Sequence, residues 1–166
     1  MPVHDPTAIN MSTDPTKRRF VGVTFHGNHT FDVPYMTKVA DNLWQGGCTA
    51  GLRLPRDIHH LVSLYLRERY ETNNTRTELY VTMYDSEDQR LDQVDRIAQW
   101  VNDCRDDGPV LVHCQAGLNR SSLIVARALH IREGWPGERI IAHLRAKRSP
   151  AVLCNPAFAA AVASWR

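Results

Sequence analysis

Two kinds of hydrophobic periodicity alternate along the chain, one typical of strands and one typical of helices. Short runs rich in β-branched and aromatic residues predict five strands, which cover residues 20–25, 42–45, 61–65, 79–83 and 109–113. The last of these runs is apolar and follows Asp107-Gly108, which is typical of a buried central strand.

Helical spacing accounts for the segments between and after the later strands. Apolar residues at positions i, i+3, i+4 and i+7 predict an amphipathic helix over residues 91–105, whereas residues 121–132 are apolar on nearly all sides and predict a buried helix. Pro136 begins a third helix, and Asn155-Pro156 is an N-cap and N1 pair that begins a fourth. Strands that alternate with helices predict an α/β fold, in which helices cover a sheet.

The first residues of the chain differ in character from the rest. Residues 1–19 are polar, contain Pro2, Pro6 and Pro15, and show no apolar periodicity, so we expect an N-terminal arm outside the core. Residues 20–166 then form a single domain, because a chain of 166 residues with 43% hydrophobic residues has room for one sizeable core. No apolar stretch approaches the roughly 18 residues of a membrane-spanning helix, and the start lacks the apolar core of a signal peptide. We therefore expect a cytoplasmic protein.

Charge and metal-ligand spacing exclude several classes of function. The net charge of +2 is too small to indicate a nucleic-acid or membrane partner. His26 with His29, and His59 with His60, lack further ligands at plausible spacing, so we expect no metal and no cofactor. Nothing in the sequence indicates an oligomer, and we expect a monomer.

The four cysteines, Cys48, Cys104, Cys114 and Cys154, are too widely spaced for a disulfide scaffold, and none forms a C-x-x-C pair. Cys104 lies on the apolar stripe of the helix over 91–105, where it is expected to be a core residue. Cys48 or Cys154 could form a disulfide with Cys114 on oxidation, and the sequence leaves this open.

Cys114 lies in the segment that joins the apolar strand to the buried helix, His-Cys-Gln-Ala-Gly-Leu-Asn-Arg-Ser at residues 113–121. A strand, a short glycine-containing loop and a helix start form an anion cradle, because backbone N–H groups converge where the helix dipole is positive. The same surroundings favour a thiolate at Cys114. Arg120 can present a planar fork to two oxygens of a phosphate. We therefore expect phosphate to bind Arg120 and the loop residues Gln115, Ala116, Gly117, Leu118 and Asn119.

The arrangement is specific to one cysteine, since the other three have leucine, valine and alanine at the position of Arg120. With His113, Gly117 and Ser121, the segment resembles the signature His-Cys-x5-Arg-Ser/Thr of the cysteine-dependent protein tyrosine phosphatase superfamily. The short chain is similar to the dual-specificity phosphatase branch over roughly residues 35–166. This resemblance implies a central mixed, largely parallel sheet of about five strands flanked by helices.

The resemblance also implies a mechanism. Cys114 attacks phosphorus to give a phosphocysteine, while an Asp on the loop after residues 79–83 protonates the leaving oxygen and later activates water. Asp85 matches that position best, and Asp88 is the alternative, although it is also placed to cap the next helix; Glu87 is expected to be solvated. Ser121 is expected to donate a hydrogen bond to the departing thiolate, His113 to order the loop, and Asn119 to pin the loop backbone.

The neutral loop interior disfavours phosphoinositides, since phosphatases of this superfamily that act on them tend to place lysines there. The tyrosine-bearing segment that deepens the pocket of tyrosine-specific domains has only a weak counterpart, at residues 67–70. We therefore expect a phosphoprotein phosphatase whose shallow pocket accepts phosphotyrosine and phosphoserine or phosphothreonine, with a phosphorylated protein or peptide as its partner.

Three alternatives remain open. The Asn-Arg-Ser ending also resembles RNA 5′-triphosphatases, for which a local basic patch could come from Arg53, Arg56, Arg145 and Arg148. A non-catalytic phosphate-binding module is disfavoured because both Cys114 and Arg120 are present. A sulfur-transfer enzyme of the rhodanese type is disfavoured by the Arg-Ser ending and the Asp85 loop.

Overall fold

The computed structural model describes residues 10–12, 19–21, 23–26, 29–49, 51–72 and 74–166, with side chains from Val33 onward. The strands of this part of the chain are β1 (Asn10–Ser12), β2 (Arg19–Val21), β3 (Val23–His26), β4 (His29–Asp32), β5 (Met36–Ala40), β6 (Leu43–Gly46), β7 (His60–Ser63), β8 (Thr77–Tyr80) and β9 (Val110–His113). Its helices are α1 (Val94–Arg105), α2 (Arg120–Glu133), α3 (Gly137–Lys147) and α4 (Pro156–Ala163).

Within the described residues, the central sheet has five strands in the order β5-β6-β9-β7-β8. The edge strand β5 is antiparallel to β6, and the remaining neighbours are parallel. This confirms the expected mixed, largely parallel sheet with flanking helices. In register with His113 at the carboxyl end of β9 lie Gly46 of β6 and Ser63 of β7. The segment after His113 therefore starts at the edge of the sheet where three parallel strands end together.

The central strand β9 is buried on both faces, as its apolar sequence predicts. Val110 and Val112 belong to the larger core cluster, to which all four helices contribute buried side chains. Leu111 belongs to a second cluster on the other face, formed with residues of the segment between β6 and β7 such as Leu54 and Ile58. A strand held by neighbours on both edges and by packed side chains on both faces is a rigid support for the loop that follows it.

Helix α2 follows its prediction closely, since nine of its residues are buried and it ends at Gly134 with a φ of 67°. Asn155 caps α4 as expected, its side chain accepting hydrogen bonds from the N–H groups of Ala157 and Phe158. Helix α1 was expected to begin at residue 91, but it begins at Val94 with Gln93 as its N-cap, and Leu91 remains 40% exposed. Asp88 therefore does not cap this helix, and that part of the prediction was wrong.

The early strands also differ from the prediction. The run over residues 20–25 was expected to be one strand, but it is divided between β2 and β3, because each pairs antiparallel with a different partner, β1 or β4. Most of the predicted arm, residues 1–9 and 13–18, lies outside the described residues, as do the side chains of His26 and His29. Along the described part of the chain, none of the helices has the length and apolar character needed to cross a membrane.

Candidate active site

Residues 114–119, which are expected to bind phosphate and are named the phosphate-binding loop for that reason, connect β9 to the first residue of α2, Arg120. Gly117 lies near its middle with a φ of 72°, in the left-handed region that favours glycine. A Cβ atom there would also overlap the backbone of Gly46 and the guanidinium of Arg148. The loop can therefore close tightly against β6 only with glycine at this position.

The Cys114 side chain lies at the base of this loop and is 2% exposed. Its Sγ lies 3.4 Å from Ser121 Oγ at the start of α2. Burial acts to raise the pKa of the thiol, but the positive charge of Arg120 and hydrogen bonds from Ser121 and the Gly117 N–H outweigh it, so that the pKa lies below its ordinary value. The loop and the helix N-terminus thus stabilise the thiolate, which is the nucleophilic form of cysteine.

The Arg120 side chain is also buried, at 8% exposure. Its Nη1 donates to the Met83 carbonyl oxygen at 3.2 Å, and its Cζ lies 4.9 Å from the centre of the Tyr65 ring. Among the described residues, its Nε is a buried donor with no hydrogen-bond partner. A guanidinium fixed on one side by a carbonyl and an aromatic ring, with a donor left over, is suited to bind an anion oxygen.

His113 Nδ1 lies 3.1 Å from the carbonyl oxygen of Cys114, to which it donates. Burial, with the nearby charge of Arg120, lowers the pKa of His113 to about 4, so the ring is neutral at neutral pH. A neutral ring that donates to the Cys114 carbonyl fits the expected role of His113 in ordering the loop, which stays a prediction.

The edge of the His113 ring packs against Tyr70, with ring centres 5.1 Å apart. The Tyr70 hydroxyl donates to the carbonyl of Gly47, and the side chain is 4% exposed. Tyr70 therefore supports the loop from behind, through its contacts to His113 and Gly47.

Two residues that sequence reasoning did not assign to the site hold the back of the loop. Arg148, 1% exposed, donates from Nε to the Gly117 carbonyl at 2.7 Å and from Nη2 to the Ala116 carbonyl at 3.1 Å. Gln45 Nε2 donates to the same Gly117 carbonyl at 3.0 Å. Because C=O and N–H point in opposite directions across a trans peptide, these bonds aim the N–H groups of Gly117 and Leu118 away from Arg148 and towards the anion side.

Because its side chain is buried, Arg148 does not contribute to the surface basic patch that the RNA 5′-triphosphatase alternative would need. Burial lowers the pKa of Arg148 to about 10, so it stays protonated at neutral pH. The other three arginines of the suggested patch, Arg53, Arg56 and Arg145, are exposed. Residues 148–151 loosely resemble the corresponding segment of the phosphatase family, and this is the sequence signal that could have drawn attention to Arg148.

The structure brings Asp85 to the phosphate-binding loop. Its Oδ2 accepts a hydrogen bond from Asn119 Nδ2 at 2.9 Å, and its Oδ1 accepts one from Asn155 Nδ2 at 2.9 Å. The carboxyl group is partly buried, whereas Glu87 and Asp88 are exposed. Of the two candidate acids, Asp85 is the one in hydrogen-bond contact with the loop.

The other cysteines differ in their surroundings. Cys104 is buried in the core cluster, as expected. Cys48 is buried, its N–H donates to the Gln115 carbonyl at 3.0 Å, and burial together with Glu68 raises the pKa of its thiol to about 12. Cys154 is exposed, with Sγ 3.3 Å from Asn119 Nδ2. None of these four described cysteines is in a disulfide, and the formation of one with Cys114 on oxidation stays open.

No group of three or more metal-ligating side chains comes together in the part of the chain with described side chains. His60, in one of the two histidine pairs considered, bonds Thr77 Oγ1 at 2.6 Å and Asp107 Oδ2 at 2.9 Å. Its two ring nitrogens are thus engaged in contacts that connect β7, β8 and the turn before β9.

Comparison with known proteins places this site in a family. The chain matches the family model described as dual specificity phosphatase, catalytic domain, over residues 55–166. The solved structure of DUSP15 has a TM-score of 0.65 at 21% identity, covering 77% of this chain and 85% of that chain. Human DUSP28 has a TM-score of 0.65 at 17% identity, covering 78% of this chain and 90% of that chain.

A third similar structure is a cysteine-to-serine variant of P. aeruginosa TpbA in complex with pTyr. It has a TM-score of 0.59 at 14% identity and covers 79% of this chain and 84% of that chain.

No curated protein sequence matches the chain. At these identities the structures show a shared fold, and the family follows from the match to the model. From the loop after β9 and the extent of that match, we conclude that the chain belongs to the dual-specificity phosphatase family.

Proposed function

We propose that this protein hydrolyses phosphotyrosine, and phosphoserine or phosphothreonine, in phosphorylated proteins through a phosphocysteine intermediate. The observation that carries the proposal is the convergence of three groups. The Cys114 thiolate, the fork of Arg120 and the Asp85 carboxyl are all held by contacts to one loop or its flanking residues. A nucleophile, an anion clamp and an acid in one place are the groups that phosphate-ester hydrolysis by cysteine requires.

In the first step, Cys114 Sγ forms a bond to phosphorus while the bond between phosphorus and the leaving oxygen breaks. Asp85 gives its proton to that oxygen, so that an alcohol or phenol leaves instead of an alkoxide or phenoxide. Arg120 and the loop N–H groups bind the remaining oxygens and stabilise the charge that spreads over them in the transition state.

In the second step, the Asp85 carboxylate takes a proton from a water molecule whose oxygen bonds to phosphorus, and the bond between sulfur and phosphorus breaks. The thiolate that departs is stabilised by the Ser121 hydroxyl and the Gly117 N–H, the same groups that lower the pKa of Cys114. Inorganic phosphate leaves, and Asp85 is protonated again for the next turnover.

Two features of the loop support a phosphoprotein as the substrate. Its side chains at Gln115, Ala116 and Leu118 carry no charge, and the cation behind it, Arg148, is committed to loop carbonyls. Within the described residues, Tyr70 packs behind the loop, which leaves the pocket without that side chain as a wall. A shallow pocket with one phosphate clamp is suited to a single phosphate on a flexible peptide. The TpbA structure that holds pTyr shares this fold.

We also propose that the enzyme acts as a cytoplasmic monomer without metal or cofactor. Size-exclusion chromatography with light scattering tests the oligomeric state, and full activity after treatment with EDTA tests the independence from metal. A dimer, or activity lost to EDTA and restored by a metal, would contradict this part of the proposal.

Phosphate release decides between the substrate classes. We expect turnover of phosphotyrosyl and phosphothreonyl peptides, with little release from a phosphoinositide or from RNA that carries a 5′-triphosphate. Cys114→Ser should abolish all turnover, whereas Cys104→Ser, a change in the core cluster away from the loop, should retain it. Faster release from the RNA than from the peptides would favour the triphosphatase alternative, and activity on thiosulfate and cyanide would favour sulfur transfer. Peptide binding by the unmodified protein without turnover would favour the non-catalytic module.

A further inference from the structure

Three hydrogen bonds close a ring between Asp85, Asn119 and Asn155, which come from three separate segments of the chain. Asn119 Nδ2 donates to Asp85 Oδ2, and Asn155 Nδ2 donates to Asp85 Oδ1, each at 2.9 Å. The backbone N–H of Asn155 donates to Asn119 Oδ1, also at 2.9 Å. The loop after β8, the phosphate-binding loop and the N-cap of α4 are thereby connected around one carboxyl group.

The orientation of both carboxamides is determined by their other partners. Asn155 Oδ1 accepts the N–H groups of Ala157 and Phe158, so its Nδ2 is the end that remains to face Asp85. Asn119 Oδ1 accepts the Asn155 N–H, which likewise directs its Nδ2 to the carboxyl group. Both asparagine side chains are buried, at 1% and 7% exposure, so a lost donor is not replaced freely by water.

We propose that Asn119 and Asn155 are positioning residues that hold the Asp85 carboxyl in the orientation needed for proton transfer. The proposal rests on the proposed role of Asp85 as general acid and base. Asn119 precedes Arg120 directly, so the donor that holds the acid belongs to the same rigid segment as the cation that binds phosphate. A carboxyl oxygen has two lone pairs, so an oxygen that accepts an amide N–H can also carry the transferred proton.

The three hydrogen bonds restrict the orientation of the Asp85 carboxyl, and the rate of proton transfer depends strongly on that orientation. A misplacement of about 1 Å in a catalytic group can lower the rate about 100-fold. Without its two donors, the Asp85 carboxyl could rotate about its side-chain bonds and would reach the leaving oxygen in fewer conformations. Loss of either asparagine donor should therefore lower the rate of steps that need the proton. Loss of the Asn155 donor, which lies outside the phosphate-binding loop, should leave phosphate binding unchanged.

Two substrates separate this role from general damage to the loop. Phenyl phosphate releases phenol and depends on protonation of the leaving oxygen, whereas a dinitrophenyl phosphate releases a phenoxide that is stable without a proton. Asn119→Ala and Asn155→Ser are the test variants, and serine keeps the capping function of residue 155 for α4. We expect each to lower kcat/KM for phenyl phosphate, which reports the first chemical step, about 10- to 100-fold. The effect on kcat/KM for dinitrophenyl phosphate should be small. The Kd for vanadate is compared in Asn155→Ser, because residue 155 lies outside the phosphate-binding loop, and it should be unchanged.

The same measurements in an Asp85→Ala background complete the experiment. We expect Asp85→Ala to lower kcat/KM selectively for phenyl phosphate, and Asn119→Ala to add no further loss in that background. An equal loss of kcat/KM for both substrates, a weakened vanadate affinity of Asn155→Ser, or a loss that multiplies with that of Asp85→Ala would overturn the positioning role. If Asn119→Ala fails to fold in a thermal unfolding experiment, Asn155→Ser gives the same decision.

The two proposals can fail separately. If Asp85→Ala does not discriminate between the substrates, the proposed acid is wrong and the positioning role falls with it. If Asp85→Ala discriminates but the asparagine variants do not, only the positioning role is refuted.

Discussion

Replacing Arg148 by methionine tests how much of the phosphate-binding loop depends on support from behind. The guanidinium donates to the carbonyls of Ala116 and Gly117 and, through Nη1, to Thr37 Oγ1 at 3.0 Å. Methionine fills most of the space of the arginine stem without donating a hydrogen bond. The substitution therefore removes the donors and avoids a large cavity.

The expected loss of stability follows from the acceptors that remain. The Gly117 carbonyl keeps its hydrogen bond from Gln45 Nε2, whereas the Ala116 carbonyl loses the Arg148 donor at a buried position. A buried acceptor left without a partner costs about 1–3 kcal/mol, and one further hydrogen bond contributes about 1 kcal/mol. We therefore expect Arg148→Met to lower the free energy of unfolding by about 2–4 kcal/mol.

Function should suffer in the folded protein as well, because the peptide groups that Arg148 holds carry N–H groups of the anion site. Removal of one preorganised donor from a site of this kind lowers kcat about 100-fold or more. The effect of loosening two peptide groups is expected to be about 10- to 100-fold in kcat/KM, with a weaker affinity for vanadate.

Urea unfolding, vanadate titration and steady-state kinetics on an aryl phosphate measure these effects together. Lys147→Met is the matched control, since Lys147 is the exposed neighbour on α3 and its replacement should change stability by less than about 0.5 kcal/mol. A urea midpoint and a vanadate Kd for Arg148→Met equal to those of Lys147→Met would refute the supporting role of Arg148.

Three further predictions test the electrostatics and support of the loop. The rate of Cys114 alkylation by iodoacetamide should rise with pH and reach half its maximum below pH 9, because Arg120 and hydrogen bonds lower the pKa of this thiol in spite of its burial. Arg120→Ala should move this midpoint to higher pH, and an unchanged midpoint would contradict the assigned role of Arg120. The pKa of His113 is about 4 when folded and near 6.5 when unfolded, so between these values the unfolded state binds more protons. The free energy of unfolding should therefore fall as the pH falls from 6.5 to 4, and His113→Gln should reduce that slope; an equal slope in urea titrations would be evidence against a buried neutral ring. Tyr70→Phe should lower the free energy of unfolding by about 1–3 kcal/mol, because the buried Gly47 carbonyl loses its donor; a urea midpoint equal to that of the unmodified protein would show that this bond contributes nothing.

The elements that were predicted correctly are those whose sequence pattern lies within one short segment of the chain. Strand β9 and helix α2 are apolar enough to identify by periodicity, and the loop between them contains Cys114, Arg120 and Ser121 within one short segment. The proposed nucleophile and anion clamp could therefore be predicted from this one segment and its resemblance to the phosphatase signature.

Strand β5 was not predicted because its pattern depends on long-range pairing. Its central residue Lys38 is exposed, and the strand forms by antiparallel pairing with β6 at the edge of the sheet. The start of α1 was misplaced because Leu91 fits the apolar period but remains exposed. A residue that matches a period is buried only if the fold supplies a surface to cover it.

The residues that hold the site together were missed because they lie far from it in sequence. Arg148 reaches Gly117 across 31 residues, Gln45 reaches it across 72, and Asn155 reaches Asp85 across 70. Asn119 was expected to pin the loop backbone, and its contacts to Asp85 and Asn155 emerge only when three segments fold together. A single sequence carries no local signal for such contacts.

The phosphocysteine itself is the most direct test of the account. Asp85→Ala should be mixed with a dinitrophenyl phosphate, which needs no acid in the first step, and quenched in acid on the millisecond timescale. Because Asp85 is the proposed base for hydrolysis, the intermediate should accumulate, and mass spectrometry should find one added phosphoryl group on the peptide that contains Cys114. Turnover with no covalent phosphate, or with phosphate on another residue such as Cys154, would contradict the central claim.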